Sequence, residues 1–549
     1  MSPSRKATFA IVPVIRRSSA AILVAVLGSL LAPLPAGAQV AADCPVPGLD
    51  DRCEDWVAHH TKTEGEAPFA RSSHDVAIGG GLSPAGDVAF AFGNHYDFSS
   101  DLRRQLQTVA YDVRTGARRW VAHEPPHQPG WETQARDIVV SPDGTTVYVL
   151  GAVADGSAGS EDRRDLLIAA YHATNGQRRW RTVYDGPARR YDDAHALEVS
   201  PDGQRVLVAA GLGASALPVR EGGPSRDLDF GLLDLDAETG EVQRTTTYAG
   251  GTFAIDGTTY ASADEPRHIA VSADGKRVAL AGVTAGRESY RTDRAHLTVA
   301  TWERPSEDAG WRLSWARELR GVALGFARVG EDFALTGAAA SNATSSNPYA
   351  TILLDGDDGA TRWETRFEMG DRFPIAENPR GLLVDEQRGR ILVHGLSPNA
   401  GSADGTSGVV MLGAANGQVL WRRPLHDARN DLTLFFDYDR DGSPVAGFDA
   451  STGHVLVSAN KEARVITYAV DGATGTRRWT AIHDHPVRSG SYLEQSDWNF
   501  AAGVEAANGR AVIFGHAYVP RRDTCPNPNP LLPPTPCPKN DFLTIAYEV

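Results

Sequence analysis

Sulfur is scarce in this chain of 549 residues, which holds four cysteines and three methionines. So few cysteines exclude a dense disulfide scaffold, and no Cys-x-x-Cys-His haem attachment site is present. Lysine is almost missing too: 49 of the 54 basic residues are arginine, a bias that follows no local pattern and reads as coding bias. The formal charge is −15, and no basic stripe interrupts it. General nucleic-acid binding is thereby excluded, because it needs a clustered cationic face to replace phosphate counterions. Beyond residue 38 no apolar stretch approaches the ~18 residues that span a bilayer. Gly-x-Ser-x-Gly, His-Glu-x-x-His and a phosphate-cradling Gly-rich loop before a helix are all missing, which removes the usual signatures of nucleophilic hydrolases, zinc peptidases and nucleotide enzymes. What remains is 42% hydrophobic, enough for a sizeable core.

Residues 1–38 have the pattern of an export signal. Arg5, Lys6, Arg16 and Arg17 precede the apolar run Ala20–Leu31, and Ala36-Gly37-Ala38 forms a small-residue cleavage site before Gln39. Cleavage there removes four basic and no acidic residues, taking the formal charge from −15 to −19. The mature chain is expected outside the cytoplasm, secreted or periplasmic, as a monomer with a tail at 39–52 and one domain at 53–549.

Two hairpin patterns alternate along that domain. The first is two β-branched runs about a Ser-Pro-Asp-Gly turn, as at Ser141–Gly144 and Ser200–Gly203, and with Ala for Pro at Ser272–Gly275. Looser copies near Ser83, Gly330, Gly389, Gly453 and Gly509 bring the number to eight. The second is Ala110-x-Asp112-x-x-Thr115-Gly116-x-x-x-Trp120, repeated at Ala170–Trp180 and Ala469–Trp479 and degenerate elsewhere. Its Trp-equivalent positions are 56, 120, 180, 244, 315, 363, 421 and 479, with Arg at 244, so one unit spans about sixty residues. Two hairpins per unit make four strands, with no room for a long helix. The spacing predicts an all-β, eight-bladed β-propeller of four-stranded blades. Its last unit ends at Phe542–Val549 one strand short, and Trp56-Val57-Ala58-His59, nearly a copy of Trp120-Val121-Ala122-His123, supplies the missing outer strand. Pairing of the N-terminal with the C-terminal strand then closes the ring and removes two edges. In this arrangement Cys53 and the pair Cys525 and Cys537 fall at opposite ends of blade eight, some ~25 Å apart for eight residues of strand. A disulfide needs Cα atoms within ~7 Å, so local pairs, Cys44–Cys53 and Cys525–Cys537, are expected.

The Ala-x-Asp-x-x-Thr-Gly-x-x-x-Trp element resembles the tryptophan-docking motif of pyrroloquinoline-quinone (PQQ) type propellers. That superfamily includes eight-bladed quinoprotein alcohol dehydrogenases and a non-catalytic outer-membrane assembly lipoprotein. The resemblance covers nearly all of the mature chain and implies that each Trp stacks on the next blade, forming a girdle. It also makes PQQ and calcium the candidate cofactors. The adjacent cysteines found beside the quinone in those dehydrogenases have no counterpart here.

Long polar loops on the face where each blade crosses to the next make that face the expected binding surface for a protein, a glycan or a small anionic ligand. Five residues before each Ser of the first turn, or its equivalent, stand Arg136, His195, Arg267 and Arg380. These positions open innermost strands at the channel mouth, and a ring of cations in an acidic protein concentrates an anion. The competing reading pairs each Arg with an acid such as Asp137 or Glu265. Outer strands ending in His59-His60, His123 and His483-Asp484-His485 offer imidazoles for zinc or copper, but on separate blades about 10 Å or more apart. Asp437, Asp439 and Asp441, with Gly442, imitate the start of a calcium loop, although Phe448 stands where an EF-hand needs Glu. The leading reading is an exported propeller acting as a non-catalytic binding or scaffold module. A divergent PQQ-dependent oxidoreductase is the alternative, and a metal-dependent hydrolase or lactonase a further one.

Overall fold

A computed structural model describes residues 38–39, 54–60, 73–97, 103–126, 130–155, 164–189, 191–214, 227–250, 252–255, 258–285, 296–306, 309–320, 322–338, 349–367, 378–398, 404–425, 434–435, 445–461, 464–484, 499–518, 524–525, 535–536 and 540–549. Eight antiparallel blades follow one another, beginning near residues 73, 131, 193, 263, 322, 378, 445 and 499. Blades 1 to 7 are each four successive strands, blade 6 with an added two-residue strand Leu434–Phe435, and blade 8 takes its outer strand, Trp56–His60, from the start of the domain. The chain is an eight-bladed β-propeller.

Each blade is shaped by its two turn types. In the Ser-Pro-Asp-Gly turn the Ser141 hydroxyl donates to Asp143 Oδ1 at 2.5 Å, and Gly144 takes φ +73°, a left-handed conformation that favours glycine. The Ser200 and Ser272 turns repeat this arrangement. In the second turn Asp112 Oδ1 accepts from the Thr115 amide at 3.0 Å and its hydroxyl at 2.9 Å, and Gly116 follows at φ +70°.

That second glycine has another task. A Cβ on Gly116 would lie 2.7 Å from the Trp56 ring of the preceding blade, whose Nε1 donates to Val113 O at 2.7 Å. Trp120 docks likewise over Gly176 and onto Ala173 O, and Trp180 over Gly240 and onto Ala237 O. Trp315, Trp363 and Trp421 repeat the pattern on blades 5, 6 and 7. The seam between blades 3 and 4 departs from it. There the position belongs to Arg244, whose Nη1 sits near Gly310, and Trp311 of blade 4 reaches back to donate to Asp234 Oδ2 at 2.9 Å. The guanidinium of Arg304 lies 5.3 Å over the Trp311 ring.

The core is divided into slabs between consecutive sheets. One joins Tyr148, Leu150 and Ile168 of blade 2 to Leu197, Val206 and Val208 of blade 3, all buried. Closure follows the predicted register, Trp56 opposite Ala546 through His60 opposite Phe542. Ala38–Gln39 add a two-residue strand outside Val57 and Ala58, so blade 8 has five strands. A small hairpin, Thr252–Ile255 with Thr258–Ala261, stands in the crossover from blade 3 to blade 4. No helix among the described residues is long and apolar enough to cross a membrane.

Candidate functional site

The register of Arg136, His195, Arg267 and Arg380 has a structural cause. In seven blades the innermost strand skips one residue in its pairing with the second strand. The skipped residues are Ile78, Arg136, His195, Arg267, Leu324, Arg380 and Ala502. Each is the extra residue of a β-bulge, which leaves it out of the ladder and re-aims its side chain. In the described part of blade 7, Val445–Asp449, pairing is regular. The bulge ring is therefore cationic or imidazole in blades 2, 3, 4 and 6, and apolar in blades 8, 1 and 5. Ile78, Arg136 and Ala502 line a cavity of about 280 Å³ in the channel together with His394 and Glu505.

Blades 2, 3 and 4 form a connected electrostatic arc. Arg136 Nη2 lies 3.4 Å from Asp193 Oδ1, and Arg164 Nη1 lies 2.9 Å from the same oxygen. Burial works to raise Asp193, but His195, Arg136 and Arg164 beside it prevail and hold its carboxyl below the ordinary range. His195 is pushed down to about 4, first by burial and then by Arg136, Arg267 and Arg164, against the pull of Asp193. Burial, with Arg267 and His195 close by, takes His268 to about 4 as well. Both imidazoles are neutral at pH 7. Arg267 is 44% exposed and stands 3.8 Å from Glu265. Arg380, half-buried, follows two blades on, beyond Leu324.

Deeper in the channel, carboxyls tie one innermost strand to the next. Asp137 accepts from the Leu197 amide of blade 3 at 2.9 Å and from Ile138 N at 2.8 Å, yet burial takes its pKa up to about 6. Glu198 is pushed up to about 7 by burial, against Arg328 and the Val271 amide. It lines a cavity of about 540 Å³ with Phe326, Arg328, Leu382 and Phe448.

The other candidates separate. Asp437, Asp439 and Asp441 lie outside the described residues, as do Cys44, Cys53 and Cys537 and most of the long loops. The backbone of Cys525 pairs with Thr535 in a short hairpin. Of the rim histidines, His485 lies outside the described residues, and His60 and His483 have separate partners: His60 Nδ1 is 2.9 Å from Arg118 Nη1, and His483 Nδ1 is 3.1 Å from Glu54 Oε1. Two clusters escaped the sequence reading. Asp165, Asp185 and Asp192 bring carboxylate oxygens within 4.8 Å of one another, but buried Asp192 already accepts from the Gly186 and Gly213 amides. The second is a buried Asp75–His95 pair in blade 1, at 2.6 Å. Its only trace in sequence is an Asp and a His at facing ends of consecutive strands.

A tricarboxylate quinone does not fit the described cations of the bulge ring as they are placed: Arg136 and Arg267 each have a carboxylate at hand.

Residues 229–512, just over half of the chain, match the family described as outer membrane protein assembly factor BamB. Among solved structures, BamB from Moraxella catarrhalis is similar with 12% identity over 79% of this chain and 92% of that one, at a TM-score of 0.39. The quinohemoprotein alcohol dehydrogenase ADHIIG from Pseudomonas putida HK5 is similar with 12% identity, 87% and 75% coverage, and a TM-score of 0.43. The Dos1 propeller is similar with 10% identity, 87% and 93% coverage, and a TM-score of 0.44. No curated protein matches in sequence.

Proposed function

The chain belongs to the BamB-like family of PQQ-type repeat propellers, and from that premise we propose that it works outside the cytoplasm as a non-catalytic scaffold that holds a protein partner on its crossover face. The export pattern of residues 1–38 supports the location. The observation that supports the reading is the arc of Arg136, Arg164, Asp193, Glu265 and Arg267, in which three guanidinium groups are held by two carboxylates within and between blades. Paired charges on rigid strand ends form a fixed pattern of potential, which gives a protein partner specificity and orientation. The family description, an assembly factor, points the same way.

Site-specific photo-crosslinking tests this. A crosslinker placed at Arg267 is expected to capture a discrete protein in the producing cell, and one placed at Gln204 on the opposite face is not. Equal capture from both faces refutes the reading. So does saturable PQQ binding to the purified mature chain, with or without calcium, that weakens in Arg136→Ala and Arg267→Ala; it would restore the oxidoreductase.

A further inference from the structure

One face of blade 1 gathers polar side chains at its crossover end. Asp75 and His95 oppose each other on the first two strands, and His95 Nδ1 lies 2.6 Å from Asp75 Oδ1. Their side chains are 0% and 1% exposed. Two residues away Gly93 opposes Gln107, and Gln107 opposes His123 on the outer strand. Side chains alternate along a strand, so Gln107 and His123 share the face of Asp75 and His95. The rings of His95 and His123 meet edge to face with centroids 5.8 Å apart. Gly93, between them, brings no side chain, and a Cβ there would strike Val76 O at 2.1 Å.

The same face continues into the apolar seam with blade 8, through Ala77, Ala91, Val109 and Phe542. Gln107 is 0% exposed, and among the described residues neither end of its amide has a hydrogen-bond partner; nor has His95 Nε2. Buried polar groups are rarely left this way. With the Asp75 carboxylate accepting from Nδ1–H, the neutral tautomer of His95 presents the Nε2 lone pair away from the pair. A carboxylate that fixes the tautomer of a histidine in this manner is the usual support of a metal-ligating imidazole.

We propose that this cluster, at the seam where the ring closes, binds one divalent transition-metal ion of the imidazole-preferring class, with zinc as its representative. His95 Nε2 and His123 are the nitrogen donors, the Gln107 amide oxygen is a third ligand, and Asp75 is the positioning residue. With metal–nitrogen bonds of ~2.0–2.1 Å, two imidazoles on one ion place their centroids on the order of 5–6 Å apart, in line with the separation here. A water molecule alone among these side chains is the competing occupant.

The test uses the mature chain, stripped with a chelator and titrated with zinc chloride by calorimetry, with cobalt absorbance as a second readout. Expected are one ion per chain, an upward shift of Tm and cobalt bands of a nitrogen-ligated site. Asp75→Asn should weaken affinity by about 10–100-fold, and His95→Ala should abolish binding. Gln107→Leu, close in volume and apolar, keeps the seam packed and should also weaken binding; it decides the matter where His95→Ala fails to fold. The proposal is overturned if the wild-type chain takes up no zinc. It is equally overturned if zinc binds with the same affinity in Gln107→Leu and in whichever of His95→Ala and Asp75→Asn folds.

Discussion

The seam between blades 2 and 3 and the seam between blades 3 and 4 solve the same packing problem in opposite directions. In the former, Trp180 reaches forward over Gly240 and donates to Ala237 O. In the latter the forward position is Arg244, and Trp311 reaches backward to Asp234. Both place an indole between the sheets with its N–H satisfied, and the blade 3–4 seam buries a second one, Trp302, whose Nε1 has no hydrogen-bond partner among the described residues. The ring therefore depends on a filled seam rather than on the direction from which the ring system arrives. The backward solution recruits a charge: Asp234 also takes Arg205 at 2.7 Å, so its carboxylate is buried but matched.

Truncation tests the equivalence most severely. Trp180→Ala and Trp311→Ala should each cost about 3–5 kcal/mol, the range for a buried aromatic, read from the urea midpoint. A neutral Trp311→Ala would break the comparison. Installing the forward residue comes next. Arg244→Trp alone should destabilise by about 1–3 kcal/mol by overpacking a seam already filled, and Trp311→Ala in the same chain should recover part of that loss, measured as a double-mutant cycle. The glycines should differ in the same sense. Gly240→Ala forces a side chain into φ +73° and against the Trp180 ring at 2.4 Å, so about 1–3 kcal/mol is expected. Gly310→Ala meets only the far end of Arg244 and should stay within about 0.5 kcal/mol.

A further contrast concerns pH. Asp192, at the blade 2–3 seam, is pushed up to about 6 by burial, against the Gly186 and Gly213 amides and with help from Asp185 and Asp165. Its unfolded value is about 3.9. A carboxyl raised on folding stabilises fully below the unfolded value, and that contribution is lost as pH rises through about 6. Tm should therefore carry a component that falls between pH 4 and pH 6, and Asp192→Asn should remove it. Asp264, the equivalent residue at the 3–4 seam and also raised to about 6, should leave a similar component behind in that variant.

The propeller was legible in the sequence because its determinants are local and repeated. A turn that needs Gly at positive φ and a Trp that needs a flat partner recur at fixed spacing. Arg244 was visible as a break in the pattern, but not its remedy, since Trp311 lies outside the repeat and meets Asp234 through tertiary packing. The register of Arg136, His195 and Arg267 was countable, yet nothing in the count reveals a bulge, which is a property of pairing between strands. The Asp75–His95 pair joins side chains twenty residues apart that neither motif contains, so only the register of two strands brings it to notice.

The closing strand sets the order of assembly. Trp56 pairs with Ala546, almost the whole chain away, whereas most other ladders join neighbouring strands. Loop-closure entropy must be met before such a contact contributes. The first seven blades can form as the chain emerges, each stacking on its predecessor, while the eighth waits for the last residues to arrive. Until then the strand Trp56–His60 lacks its ladder partner Asn540–Glu548, and any chaperone or neighbouring molecule able to pair with it competes with the last strand.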